Sequence, residues 1–505
     1  MASKSKKAYD ELIRRSKEDS LLGSCASLLG WDERTYMPKG GSAHRAEQFA
    51  LLAGMIHEKA TAPEIDELLS EAEGSDLVKD PRSAAAVNVR EIRWNYDRIV
   101  RLPKKLVEEL ARVTTLAQPV WVEARAESDF EKFRPILEQI VQLKRQKAAA
   151  LVNGEATYDA LLEDYEPGAT IEELTRVLGG LREELVPLVK EIVDSGRKPD
   201  ASILTRDFPV DRQEAFGKAA ASAIGFDFDR GRLDVTTHPF CTGIGPGDTR
   251  LTTRYNKNHF SEAFFGIMHE AGHGIYDQGT DDEQFGTPMG ESVSLGIHES
   301  QSRMWENFVG RSAGFWSAFF PKAQEAFPEA LGDVSQDAFL FSINFVRPSL
   351  IRVEADEATY NLHILLRFEL EQALISGDLP PGDVPGAWNE RFERYFGMRP
   401  PDDAQGCLQD IHWSFGSIGY FPTYSLGNLY AGQFFEQAQE DLGDLESQFA
   451  KGEFRPLKDW LTEKIHRQGM RFRAADLVRE VTGKPLSHRP LMDHLKTKYS
   501  RLYGI

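Results

Sequence analysis

Cysteine is scarce: only Cys25, Cys241 and Cys407 occur in 505 residues. They are too few and too scattered for a disulfide framework or a thiolate zinc site, and a reducing compartment fits them. Positive charge is also short. With 79 acidic against 60 basic side chains the formal charge is -19, a field that repels phosphate polymers and anionic membranes, so neither nucleic acid nor a membrane is an expected partner. No stretch approaches the roughly 20 apolar residues that span a bilayer. The opening MASKSKKAYDELIRRSKEDSLLGS lacks the apolar run of a signal peptide, and its acidic residues argue against a transit sequence, which makes cytoplasmic the expected location. Internal repeats, low-complexity tracts and interdomain linkers are missing as well.

What is there reads as helix. With 41% hydrophobic residues the chain can bury a large core. From about residue 6 to 190 apolar positions recur at three and four, as in SAHRAEQFALLAGMIHEKAT and PILEQIVQLKRQKAAALV, with sparse glycine and proline. Turn chemistry changes near residue 199. The run TTHPFCTGIGPGDTRLTTRY predicts a short hairpin, one strand near 233–237 and the other near 250–255 around a Gly-Pro-Gly turn. Helices resume near Ser261 and continue to the end, interrupted by GDLPPGDVPGAW and HWSFGSIGYFPTY. The expected architecture is mostly α: one large helical body over 1–505, with a helical N-terminal part to about 195 and a catalytic core at about 230–430.

Within that core stands HEAGH, residues 269–273. Chance supplies about a few hundredths of an HExxH per chain of this size, so the match is informative and its context decides. Positions four apart share a helix face, so His269 and His273 can point at one ion while Glu270 stands beside them without coordinating. A carboxylate there can take the proton of an attacking water. Asn258 or Ser261 can cap the helix, apolar residues flank the motif, and Gly272 and Gly274 are expected to leave room near the ion. The plain structural alternative is two packed helix histidines.

Two imidazoles need a further ligand, commonly a carboxylate from a following helix. Glu291 and Glu299 both qualify, with His298 behind them. Glu291 could instead face a helix dipole near a helix start, and Glu299 could pair with Arg303 at i+4. Spacing leaves the two even.

Six ordered segments resemble the carboxypeptidase Taq family of zinc-dependent metallocarboxypeptidases: HPF at 238–240, DTRLT at 248–252, HEAGH at 269–273, HESQ at 298–301, IRVEAD at 351–356 and GCLQDIHW at 406–413. LGWDERTYMPKGGSAHRAEQ near the N-terminus is similar too, so the likeness covers nearly the whole chain without a departure inside the motifs. The resemblance implies a homodimeric helical peptidase with a deep groove, one divalent ion per chain, zinc before cobalt, and release of single residues from peptides with a free C-terminus. It also maps the third ligand onto Glu299, leaving Glu291 as a neighbour.

An exopeptidase of this kind needs a fixed cation for the substrate's α-carboxylate, ideally a guanidinium. Arg352 is the first choice on the strength of the resemblance, although spacing alone equally supports an i,i+4 pair with Asp356 on a helix begun by Pro348. His238 and Arg250, carried by the hairpin before the catalytic helix, come next. His412, Tyr420 and Tyr424 are candidate donors to the oxyanion of the tetrahedral intermediate, though an aromatic cluster is more often core. Asp248 and Asp410 are expected to orient Arg250 and His412. His57, His363 and His466 are assigned no chemistry. Two rival functions remain at this point: a helical HExxH oligoendopeptidase, and a non-catalytic helical scaffold in which the pentapeptide is incidental.

Overall fold

The computed structural model describes residues 4–152, 154 and 157–505. Helices dominate, with one three-stranded sheet. The chain divides into two compact units that interleave along the sequence: the described residues of Met1–Val100, Asp200–Ile343 and Phe434–Gly483 form the first, those of Arg101–Pro199, Asn344–Gln433 and Lys484–Ile505 the second. Among the described residues no helix is long and apolar enough to cross a membrane.

In the first unit the long helix Lys4–Thr35 packs against Pro63–Glu73. Leu12, Ile65, Leu69, Ala72 and Val89 close that contact, the three- and four-residue apolar spacing having turned one face of each helix inward. The sheet consists of β1 (Gly231–Val235), β2 (Cys241–Gly245) and β3 (Asp248–Thr253) in the order β1-β3-β2. The two expected strands exist, yet they do not form a hairpin, because β1 pairs with β3 in parallel. The hairpin partner of β3 is β2, joined to it through Pro246 and Gly247, the latter at φ 78°. Cys-Thr-Gly-Ile-Gly is too glycine-rich to announce a strand, which is why β2 and the correct pairing were hidden. The helix Val210–Ile224, given no element from sequence, precedes the sheet.

The helix that follows, Phe260–Gly279, is capped by His259, whose Nδ1 accepts from Glu262 N at 3.1 Å, and not by Asn258 or Ser261. Its first turns sit in an aromatic cluster of Phe216, Phe260, Phe264, Trp316 and Phe327. Such a dry, close-packed setting fixes the helix rigidly.

The second unit is organised on the helix Tyr360–Ser376, which is buried nearly all round. His363, Arg367 and Glu371 recur along one face at intervals of four, so this buried helix carries a polar stripe that has to be satisfied inside the core. Pro348 does not begin a helix: residues 345–351 are irregular, Arg352–Glu354 is a single 3-10 turn, and the regular helix starts only at Tyr360.

Candidate active site

Helix periodicity places His269 and His273 on one side of Phe260–Gly279. The helix Leu295–Arg303, capped by Ser294, crosses it and brings in Glu299. The crossing is close because residue 272 is glycine: a β-carbon there would lie 2.6 Å from both the Gln301 carbonyl oxygen and Ser302 Cα. Gly274 makes room for Phe226 and Leu251 in the same way. Both glycines therefore serve packing rather than space around an ion, which corrects the sequence expectation.

Glu299 Oε2 lies 3.6 Å from His269 Nε2 and 3.3 Å from His273 Nε2, and the three ligand atoms all fall within 4.8 Å of one another. Ligands about 2.0–2.1 Å from a tetrahedral ion stand roughly 3.3 Å apart, so this borderline-soft N2O set fits a divalent ion such as zinc. Glu291 is not in this cluster. It is an exposed residue of the loop before the helix, which separates the two carboxylates that spacing left even. The alternative raised for Glu299 is nonetheless also true, since Oε1 accepts from Arg303 Nε at 2.7 Å.

On the side away from Glu299 the two histidines differ. His269 Nδ1 meets Glu306 Oε2 at 2.9 Å, and Arg303 Nη1 donates to the same oxygen at 3.1 Å. His273 Nδ1 meets His298 Nδ1 at 2.5 Å. Burial opposes the charge on Glu306, but Arg303, His269 and Arg311 outweigh it and hold its pKa down to about 2. Burial also pushes Glu270 up to about 7, against the opposing pull of His269, and lowers His273 to about 4. Glu306 was not picked out from the sequence. The signal was its position seven after Glu299 and three after Arg303, one helix face, realised here on a π-helical turn at Met304–Val309 of the kind often found beside functional sites.

On the sheet of this unit Asp248 grips Arg250 in a two-point contact, 2.8 Å at Nε and 2.7 Å at Nη2, and the guanidinium lies 4.2 Å over the Trp31 ring. That pairing is the one expected from sequence. His238 lies exposed in the bend between β1 and β2.

In the second unit Arg352 is buried and reaches Asp410 Oδ1 through Nε at 3.0 Å and Nη2 at 2.7 Å, while Nη1 donates to Tyr360 at 3.1 Å. Asp356 is not its partner: that carboxylate accepts from the backbone of Arg347, Ala358 and Thr359. Asp410 also accepts from Arg367 Nε at 2.7 Å. Burial would raise the Asp410 pKa, but the two guanidiniums dominate and drive it far below the carboxylate range. Asp410 thus serves two arginines, and His412 Nδ1 stands 3.9 Å away, outside hydrogen-bond reach, so the expected Asp410–His412 orientation fails. His412 Nε2 instead approaches the Tyr424 hydroxyl at 3.4 Å, and the Tyr420 ring lies 5.5 Å from the imidazole. Burial lowers the His412 pKa to about 4. Glu371 anchors this loop by accepting from Trp413 Nε1 at 2.8 Å and from Gly419 N at 2.9 Å. Gln409 clamps the Arg352 segment, taking Arg352 N at 2.9 Å and donating to the Leu350 carbonyl at 3.0 Å.

Comparison with known proteins identifies the family. The family model described as carboxypeptidase Taq (M32) metallopeptidase matches residues 11–499. The chain belongs to that family. A relative from Thermus thermophilus, "Thermostable carboxypeptidase 1", is 50% identical over 98% of this chain and 99% of its own length. "Carboxypeptidase 1" of Bacillus subtilis is 40% identical over 98% of each chain. Among solved structures, the M32 carboxypeptidase from Deinococcus radiodurans R1 superposes with a TM-score of 0.96 at 38% identity, covering 99% of this chain and 100% of that one. The protein is a metallocarboxypeptidase, a peptide hydrolase of mostly helical fold.

Proposed function

We propose that this M32 enzyme removes single residues from the free C-termini of peptides, with broad specificity, using zinc, or cobalt in its place, held by His269, His273 and Glu299. The observation that carries the reading is the convergence of two imidazole Nε2 atoms and one carboxylate oxygen within 4.8 Å. A divalent ion held there supplies Lewis acidity to the scissile carbonyl and lowers the pKa of the attacking water. Glu270, buried one residue from the first ligand, accepts the proton of that water and passes it to the leaving amine. Glu306 and Arg303 hold His269 and Glu299 in place. Arg352 anchors the substrate carboxylate; what supports this is that Arg352 and Arg367 share a single carboxylate, Asp410, so the buried trio keeps one positive charge in excess. His412, Tyr420 and Tyr424 serve as donors to the oxyanion, and His238 and Arg250 as further substrate contacts. One catalytic domain spanning the chain, a homodimeric state and a cytoplasmic location complete the proposal.

The test pairs metal analysis of the purified enzyme with mass spectrometry of a peptide bearing a free or an amidated C-terminus. Stoichiometric zinc or cobalt and stepwise trimming of the free peptide alone are expected. Internal cleavage of the amidated peptide at an equal rate would overturn the carboxylate anchor.

A further inference from the structure

His273 ends its hydrogen bonding on a second imidazole, unlike His269, whose Nδ1 meets a carboxylate. His298 in turn places Nε2 2.9 Å from Asp277 Oδ1. A neutral imidazole donates from one nitrogen and accepts at the other, so the two Nδ1 atoms 2.5 Å apart must divide into one donor and one acceptor. The ionised carboxylate of Asp277 can only accept, and this sets the order. His298 gives its Nε2 proton to Asp277 and keeps a lone pair on Nδ1; His273 must then carry its proton on Nδ1. Its own lone pair is thereby left on Nε2, the atom that faces Glu299. The reverse order would put a proton on Nε2 and exclude a cation.

Packing holds the relay in place. The His298 ring stacks on His273 with centroids 4.6 Å apart and planes inclined by 27°, and on Tyr276 at 5.0 Å and 28°, and Tyr276 stacks in turn on His466 at 4.8 Å. The column is pinned at its inner end by His466 Nε2 against Gln301 Oε1 at 2.9 Å, and at Tyr276, whose hydroxyl accepts from Val293 N at 3.2 Å. Asp277 lies one helical turn beyond His273 on the same helix, so the spacing that pairs the ligands also delivers the carboxylate.

We infer that His298 and Asp277 are positioning residues of the metal centre, fixing the tautomer and ring orientation of His273 so that Nε2 meets the cation as a lone pair. This rests on reading His269, His273 and Glu299 as ligands. Partners of this kind are typically worth about 10–100-fold in metal affinity.

The experiment measures Zn2+ affinity by chelator competition on the full-length enzyme and on the variants Asp277→Asn, His298→Phe and His298→Gln, together with melting temperatures with and without Zn2+. Asparagine keeps the size of Asp277 but can donate to His298 Nε2, which admits the wrong proton order, the same logic by which Asp→Asn beside a catalytic histidine selects the wrong tautomer. D277N and H298F are expected to bind Zn2+ about 10–100-fold more weakly, and H298Q, whose amide oxygen can accept from His273 Nδ1, to recover part of that loss. The metal-free melting temperature of D277N should stay with the parent's while its Zn2+-induced rise shrinks. Affinity equal to the parent's in D277N overturns the inference, whether or not H298F folds, and so does a lowered metal-free melting temperature with affinity unchanged. A parental enzyme that does not bind Zn2+ overturns the ligand reading instead.

Discussion

Arg303 donates to Glu299 Oε1 at 2.7 Å, while Oε2, which also accepts from Ser302 Oγ at 2.9 Å, faces the two imidazoles. Arg303 also reaches Glu306, which has a second guanidinium, Arg311, at 3.6 Å, so of the two largely buried carboxylates it is Glu299 that depends on Arg303 for a guanidinium. Removing one partner of a buried ion pair costs about 3–5 kcal/mol because the remaining charge is stranded. Arg303→Ala should therefore lower the melting temperature of the metal-free protein markedly, and added Zn2+ should restore more than it adds to the parent, since a cation replaces the missing charge. Calorimetry of both proteins with and without Zn2+ checks this. An unchanged metal-free melting temperature would show that Arg303 is dispensable.

Gly272 sets how closely the HEAGH helix approaches the helix that carries Glu299. With a β-carbon at 2.6 Å from backbone atoms of Gln301 and Ser302, neither side can yield by rotating a side chain. Gly272→Ala should cost about 1–3 kcal/mol by overpacking and, by parting the helices, weaken Zn2+ binding too. Gly247, where a β-carbon meets nothing within 4 Å but φ is 78°, is a useful contrast: Gly247→Asn should leave Zn2+ affinity intact. Equal Zn2+ affinity in G272A and the parent would refute the spacing argument.

The juxtaposition of His269 and His273 was legible because helix periodicity alone puts them on one face, and the choice between Glu291 and Glu299 to join them was not legible from spacing, because it depends on a helix crossing fixed by a backbone contact at Gly272. Glu306 was readable in hindsight from its spacing to Glu299 and Arg303. The partners of Asp410 were hidden for a different reason. Arg367 lies 43 residues away on a helix buried nearly all round, and its polar stripe of His363, Arg367 and Glu371 faces the core, where spacing along the chain does not reveal the partner. Similarly, the local pair Arg352–Asp356 looked sound at i+4, but it requires a helix at 352–356, and the chain forms only one 3-10 turn there. The strand Cys241–Gly245 escaped because its glycines carry no strand preference, so the parallel pairing of β1 with β3 could not be inferred.

Glu371 supplies a pH dependence away from the metal ligands. Burial raises its pKa from 4.5 to about 7 even though Tyr158, Gly419 and Trp413 all donate to it. An acid whose folded pKa is raised holds its proton where the unfolded chain has lost it, so stability falls as pH climbs from the unfolded value towards 7 and is level above that. Between pH 5.5 and 7.5 the group should account for about 2 kcal/mol of declining stability. Glu371→Gln removes the titration, and its melting temperature should fall less across that interval than the parent's does. Parallel pH profiles for the two proteins would show that Glu371 does not titrate there.

The base assignment yields the sharpest kinetic expectation. Glu270 is buried and adjoins His269 without belonging to the ligand cluster, so Glu270→Gln changes its charge and basicity while keeping its volume and leaving all three donor atoms in place. General base catalysis by a positioned side chain is worth about 100- to 10,000-fold, and kcat on a short peptide with a free C-terminus should drop within that range. Zn2+ content should match the parent's, and KM should move little because the substrate's own contacts remain. Two measurements on one preparation, metal stoichiometry and kcat, separate the possibilities. Loss of zinc along with activity would make Glu270 a support of the metal site, and full activity with zinc retained would remove it from the chemistry altogether.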